Sequence, residues 1–375
     1  MSARWNRRRF GAMLVKETLQ ILRDPSTFLI AFVLPVVLIF LYGFGVNLDT
    51  ARTRIALSVQ DDGGAAQSLA GAFQHSRWFE VVTTGDLAAM QRDMVAGRVR
   101  GIVVIPADFS QHIARGSGGD IQVITDGSSP NTASFVGAYA QGVQSAWAAA
   151  YQFDRGRHVV PAIAIDQRFW FNPELASRFF LVPGAIAIVM TMIGTLLTAL
   201  VIAREWERGT MEAIMATPIS MSEFMATKVI PYFVLGLGSM TLCAMLAVFV
   251  FGVPFRGSPL ALLAISSAFL VPALGQGLFI SAATKNQFVA SQIALLTAFL
   301  PGMMLSGFLF EISSMPRWIR TVTYLVPARY LIPPLQTVFV AGDDWSLFLP
   351  DMAAMLGFGL VFFALAVRAT RRRIA

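Results

Sequence analysis

The sequence predicts a polytopic α-helical membrane protein with six transmembrane helices and an α/β extracytoplasmic domain inserted between the first two. Three observations carry that expectation. Of 375 residues, 55% are hydrophobic and only 14% charged, with a mean hydropathy of +0.62, whereas soluble proteins carry about 25% charged residues. Six uncharged apolar runs approach the roughly 20 residues that a helix needs to cross about 30 Å of hydrocarbon. One long polar, Gly-rich stretch, 48–178, separates the first run from the second.

The chain opens on a cytoplasmic segment, 1–24. Between Trp5 and Arg23, Leu14, Thr18 and Leu22 recur on one side of a helix while Lys16, Gln20 and Arg23 fall on another, and Asp24 with Pro25 closes the pattern. This predicts an interfacial amphipathic helix whose basic side meets anionic membrane lipid or a cytoplasmic partner, with lipid as the default. The first transmembrane helix falls within 25–47, as the run Phe28 to Val46. A signal peptide is the competing reading, but the run is full-length, carries Pro35 near its middle and precedes no small-residue cleavage site.

In the inserted domain, short β-branched runs (Ile55 to Val59, Phe79 to Thr83, Gly101 to Ile105, Ile121 to Thr125) alternate with helical stretches around Gln67 to Gln74, Leu87 to Val95, Phe109 to Ala114 and Thr132 to Phe153. That alternation predicts an α/β sandwich. Spans two to six, within 179–375, are Phe179 to Ala203, Val229 to Val253, Leu260 to Thr284, Phe288 to Phe310 and the shorter Met352 to Val367.

Orientation follows from the basic residues beside the spans. With the N-terminus inside, inner segments hold fourteen: Arg4, Arg7, Arg8, Arg9, Lys16, Arg23, Arg204, Arg208, Lys228, Lys285, Arg368, Arg371, Arg372 and Arg373. The short outer loops hold Arg256, Arg317, Arg320 and Arg329, and the other eleven lie in the long domain. Both termini are therefore expected in the cytoplasm.

Several chemistries find no support. Cys243 is the only cysteine, and His75, His112 and His158 have no metal-ligand spacing; the pairs Asp61 with Asp62 and Asp343 with Asp344 read as solvated turns, so no metal is expected. The net charge of +7 resides beside spans rather than in a nucleic-acid-binding patch, and no nucleic-acid partner is expected. A phosphate-binding loop needs a Gly-rich turn ending in Lys and then Ser or Thr; none of the three lysines, Lys16, Lys228 and Lys285, follows one. The chain therefore reads as no enzyme, and it lacks the intramembrane ionisable groups of an ion-coupled carrier. Gly236, Gly238, Gly275 and Gly277, inside spans, suit close helix packing.

If the chain transports, energy enters from a partner, and the segment 204–228 is the place for it. It begins REWERGTMEAIMATP. On one helix Arg208 reaches both Glu205 and Glu212, balancing their charges, while Met211, Ile214 and Met215 form an apolar face and Pro218 ends the turn. That pattern suits docking into another protein's cleft; it equally suits a solvated connector. On the outer side, within 311–348, Pro316, Trp318, Tyr324, Pro327, Tyr330, Pro333 and Pro334 predict short helices that are interfacial or re-entrant.

The order of parts resembles the membrane subunit of type 2 ABC exporters, in particular bacterial drug-efflux permeases with a large domain between spans one and two. The marks are LRDPSTFLIAFVLP at Leu22 to Pro35, REWERGTMEAIMATP at Arg204 to Pro218, and SSMPRWIRTVTYLVPARY at Ser313 to Tyr330. The resemblance implies a multi-pass protein of the bacterial inner membrane that exports a hydrophobic or amphiphilic compound. It implies that Glu205, Arg208, Gly209, Thr210, Met211, Glu212, Thr217 and Pro218 contact a separate ABC ATPase, where ATP and magnesium bind, with no cofactor in this chain. It implies a second permease copy or paralogue, with spans one, two and five lining a path where Phe28, Phe32, Phe299 and Met303 offer apolar surface; packed or lipid-facing side chains are the plainer reading of those four. A periplasmic adaptor protein is a further implied partner. The rival to an exporter is a membrane-embedded sensor or assembly scaffold with a ligand-binding outer domain.

Overall fold

Among the residues described in the computed structural model (6–45, 52–116, 118–126, 130–153, 176–217 and 219–371), six helices are long and apolar enough to cross a membrane. They are Pro25–Gly45, Arg178–Glu207, Met221–Phe249, Pro259–Thr284, Gln287–Leu305 and Trp345–Thr370, hereafter spans 1 to 6. Pro218, His158, Arg372, Arg373 and the expected end of span 1 at Val46 lie outside the described residues. The chain forms two units, 1–48 with 168–375 and 49–167.

Local chemistry fixes where the spans begin. The Ser258 hydroxyl accepts from the backbone N–H of Ala261 with Pro259 at the first helical position of span 4, and the Asn286 side chain caps span 5 by accepting from Val289 N–H. Several ends differ from those of the apolar runs. Span 2 continues to Glu207, span 3 starts at Met221 rather than Val229, and span 6 starts at Trp345 rather than Met352, because polar residues whose bonds are satisfied continue a helix beyond its apolar stretch. Span 5 stops at Leu305, before Gly307 adopts a φ of 92°.

Spans 2 and 4 are buried along most of their length and are apolar on every side, as the centre of a bundle requires. They touch through small residues: a Cβ on Gly277 would overlap Thr198 Oγ1 and the carbonyl oxygen of Thr195, and one on Gly194 would lie 2.6 Å from Ala273 Cβ. Polar bonds join the same pair, with Thr198 Oγ1 donating to the Leu274 carbonyl (3.0 Å) and Ser281 Oγ accepting from Ile202 and Ala203 N–H (2.9 and 2.8 Å). Span 1 buries Thr27, Ala31, Pro35 and Ile39, four residues apart, and exposes Leu29, Val33, Val37 and Leu41.

At one end of the bundle lie the N-terminal helix Arg7–Leu22 and the short helix Thr210–Met215. At the other, the segment after span 5 forms short helices Ile312–Ser314, Arg317–Thr323, Pro327–Tyr330 and Ile332–Val340. Arg256 and Gly257 N–H donate to the carbonyls of Phe339 and Val338 (3.1 and 2.8 Å), and Arg329 stacks 3.6 Å over the Tyr324 ring.

The second unit holds a four-stranded sheet of order β2-β1-β3-β4, from β1 Thr53–Val59, β2 Phe79–Thr84, β3 Gly101–Ile105 and β4 Gln122–Thr125. β1 is parallel to β2 and β3, and β4 runs antiparallel to β3. Helices Gly64–Gln74, Phe109–Arg115 and Pro130–Phe153 cover one face over Ile55, Leu57, Val103 and Ile105. Helix Leu87–Val95 covers the other through Met90 over Ala56, Ile102 and Val104.

Candidate functional site

The end of span 2 concentrates the ionic bonds of its unit. Its last four residues, Arg204 to Glu207, reach several elements between them, with Arg204 and Glu207 both bonded to Gln287. Arg204 Nη1 lies 2.8 Å from Asp24 Oδ2, the carboxylate that caps span 1. Glu205 Oε1 lies 2.5 Å from Lys228 Nζ in span 3 and 3.4 Å from Lys16 Nζ in the N-terminal helix, and its other oxygen accepts from the Thr210 hydroxyl. The Trp206 ring holds Lys285 Nζ 3.6 Å from its centre, and Glu207 Oε1 accepts from Gln287 N–H at the start of span 5 (2.7 Å).

Lys228 is the centre of this cluster. It is 1% exposed, and its ammonium also reaches Glu17 Oε1 at 2.7 Å. A buried charge is tolerated only when paired, and here two carboxylates from separate elements pair it, both themselves buried. Burial works against the charge on Lys16, but Glu17 and Glu205 outweigh it and raise its pKa above the ordinary lysine value. Burial would raise Asp24, yet the Thr27 hydroxyl and the Arg204 guanidinium hold it below the ordinary carboxylate range. Nearby, Ser220 and Glu223 form a capping box for span 3, and Glu223 Oε1 accepts from Asn6 N–H (2.6 Å) at the start of the N-terminal helix.

The segment expected to contact a partner divides accordingly. Span 2 ends at Glu207, and Gly209 turns the chain with a left-handed φ of 69°, where a side chain would be strained. The short helix Thr210–Met215 follows in a new direction. This corrects the expectation of one helix through Arg208: it forms no ion pair with Glu205 or Glu212, and Glu205 pairs with lysines instead. Met211 is buried, with the half-buried Ile214 and Met215 packed against the bundle core, so the apolar ridge faces mainly inward and Met211 is not a surface contact. Arg208, Gly209, Thr210, Glu212, Ala213, Ala216 and Thr217 are exposed.

Sequence reasoning missed Glu17, Asp24 and Lys228 as partners of this site. The available signals were a carboxylate between the apolar residues Met13 and Ile21 of the N-terminal helix, and one of only three lysines directly preceding an apolar run. The face of that helix toward the bundle carries Glu17 and Ile21, whereas Leu22, expected on the apolar side, is exposed together with Val15 and Leu19.

The four expected path residues are half-buried. Phe28 stacks on Phe32 with centroids 6.0 Å apart, and Phe32 lies over Gly238 of span 3. Met303 Sδ accepts from the Tyr42 hydroxyl at 3.4 Å, joining spans 5 and 1, and Phe299 packs against the same core.

Comparison with known proteins accords with this arrangement. Residues 25–368 match the family described as ABC-2 family transporter protein. The chain is 45% identical over 368 residues to the probable multidrug ABC transporter permease YbhS of Escherichia coli, covering 98% of each. It is 25% identical to the probable multidrug ABC transporter permease YbhR of the same organism, over 88% of this chain and 90% of that one. To the linearmycin resistance permease protein LnrN of Bacillus subtilis it is 22% identical, over 94% and 96%. A family match across nearly the whole chain and a relative of this identity make the protein a multi-pass membrane permease and a member of the ABC-2 transporter family.

Proposed function

We propose that the chain is the permease subunit of an ATP-driven exporter in the bacterial inner membrane, working with a separate ABC ATPase and a second permease subunit. The cargo class is a hydrophobic or amphiphilic compound. The observation that carries the ATPase assignment is the exposed, mixed-polarity strip Arg208–Thr210, Glu212, Ala213, Ala216 and Thr217, which follows a span whose end is tied to four neighbouring elements. A surface so placed moves the bundle when it is pushed. The assignment sets this end, with both chain termini, in the cytoplasm, and the α/β unit outside, where an adaptor protein would meet it. Nucleotide and magnesium belong to the partner, and lipid meets the exposed stripe Val15, Leu19 and Leu22 of the N-terminal helix.

A photo-crosslinking residue at Ala213, in native membranes, tests the reading. Capture of an ABC ATPase, changed in yield by ATP, is the expected result. Capture of a signalling protein, or no reproducible product, would transfer the assignment to a sensor or scaffold.

A further inference from the structure

We propose that Glu205, Lys228 and Glu17 are positioning residues: their buried ion cluster links the short helix Thr210–Met215 to the N-terminal helix, so that displacement of the first moves the second. The proposal rests on the coupling role assigned above to the short helix.

Helix geometry explains why span 2 can serve as the pivot. Successive residues project about 100° apart, so Glu205 and Trp206 turn toward Lys228 and Lys285 while Arg204 and Glu207, one turn apart, share Gln287 and Arg204 also reaches Asp24. The route through Glu205 is the one that leaves the bundle core. One of its oxygens takes the Thr210 hydroxyl at the first position of the short helix; the other takes Lys228, which in turn binds Glu17 of the N-terminal helix. Two lysines and two glutamates leave the cluster neutral.

Apolar side chains would hold the same helices together at less desolvation cost, but they slide. Lys228 is shared by two carboxylates on different elements, and if it follows one it gives up a buried ion pair with the other, which keeps only the half-exposed Lys16. The cluster therefore resists separation more than it favours assembly, which is what a linkage requires. Lys16, with about half its side chain exposed, screens the two carboxylates from the solvent side.

The test uses the permease with its co-purified ATPase in lipid nanodiscs, in a Cys243→Ala background. Spin-label pairs on Ala213→Cys with Ser346→Cys, and on Ala12→Cys with Ser346→Cys, report the short helix and the N-terminal helix against the far end of the bundle. In the otherwise unchanged protein, ATP with vanadate shifts both distances. The Glu205→Gln/Lys228→Met variant removes one charge of each sign and leaves Lys16 beside Glu17; it is expected to keep the Ala213 shift and lose the Ala12 shift. Glu17→Gln, which leaves the Lys228–Glu205 pair and the longer Lys16–Glu205 contact, is expected to keep the Ala213 shift and reduce the Ala12 shift, and serves if the double variant does not fold. Retention of both shifts in a folded variant, with only a loss of thermal stability, would reduce the cluster to a structural role and overturn the proposal. Absence of the Ala213 shift in the unchanged protein, or failure of any ATPase to co-purify, would instead remove the coupling reading on which it stands.

Discussion

Asp24 does two jobs. It caps span 1 by accepting from Ser26 N–H at 3.1 Å, and it pairs with Arg204 at 2.8 Å. Burial opposes its charge, but Thr27 and Arg204 depress its pKa below the ordinary value of 3.8. A carboxylate whose folded pKa is lower than its unfolded pKa stabilises the fold above the unfolded value, and that contribution fades as pH falls through the folded one. Thermal unfolding of the detergent-solubilised protein is therefore expected to show a stability loss below about pH 4 that Asp24→Asn lacks, the variant being less stable at neutral pH by about 1 kcal/mol. Identical acid limbs in the two proteins would show that Asp24 is not paired as described. The same residue shows where sequence reasoning stopped. Asp24 was readable as the end of one helix, but Arg204 lies 180 residues away, and nothing in local spacing announces such a partner. Glu17 and Lys228, 211 residues apart, were hidden for the same reason. Long-range neutralisation is what lets a charge stand on a face that periodicity alone assigns to water.

At the scale of elements, the six spans were legible because length and lack of charge are local properties, and the helices differ from the apolar runs chiefly at their ends. What they do inside the bundle was only partly legible. Pro35 and Pro301 stand in the sequence, but their consequence is a widened turn. Each proline lacks an N–H and clashes with the carbonyl four residues before it, and π-helical stretches Leu29–Val33 and Leu295–Phe299 precede them. Gly277, by contrast, was readable as a packing glycine, and its geometry is severe. The groups that its Cβ would meet include a backbone carbonyl of span 2, which cannot rotate away. Gly277→Val is expected to cost about 3 kcal/mol, at the upper end for overpacking, and to lower both accumulation in the membrane and melting temperature. Gly357→Val in span 6, where nothing lies within 4 Å of a Cβ, is the control in the same unit and should cost nothing, valine being the better helix former. Equal melting temperatures for the two variants would contradict the close approach of spans 2 and 4.

At the scale of the molecule, the two units are built on different solvents. The bundle centre is apolar all round, and its outer spans leave large apolar side chains such as Phe249, Phe288 and Leu360 exposed, a surface stable only against lipid or another apolar face. The sheet unit is closed in the manner of a water-soluble domain. Phe73, Phe79, Phe109 and Trp147 fill the core on one face of the sheet, and Met90 with Val99 fills the other, so neither face depends on a helix of the bundle for cover. Its length of about 120 residues is within the ordinary range for a domain that folds alone. A fragment spanning 49–167 is therefore expected to be soluble and monomeric, with dispersed amide resonances and a single cooperative thermal transition. Trp78 offers a site-specific check, because its ring stacks on Tyr139 at 4.7 Å, with the Arg77 guanidinium 4.3 Å from it. Tyr139→Ala in the fragment should alter the near-ultraviolet circular dichroism and lower the midpoint of unfolding. An aggregated or uncooperative fragment would mean that the sheet needs the bundle for its stability, and the two units would then have to be treated as one folding system.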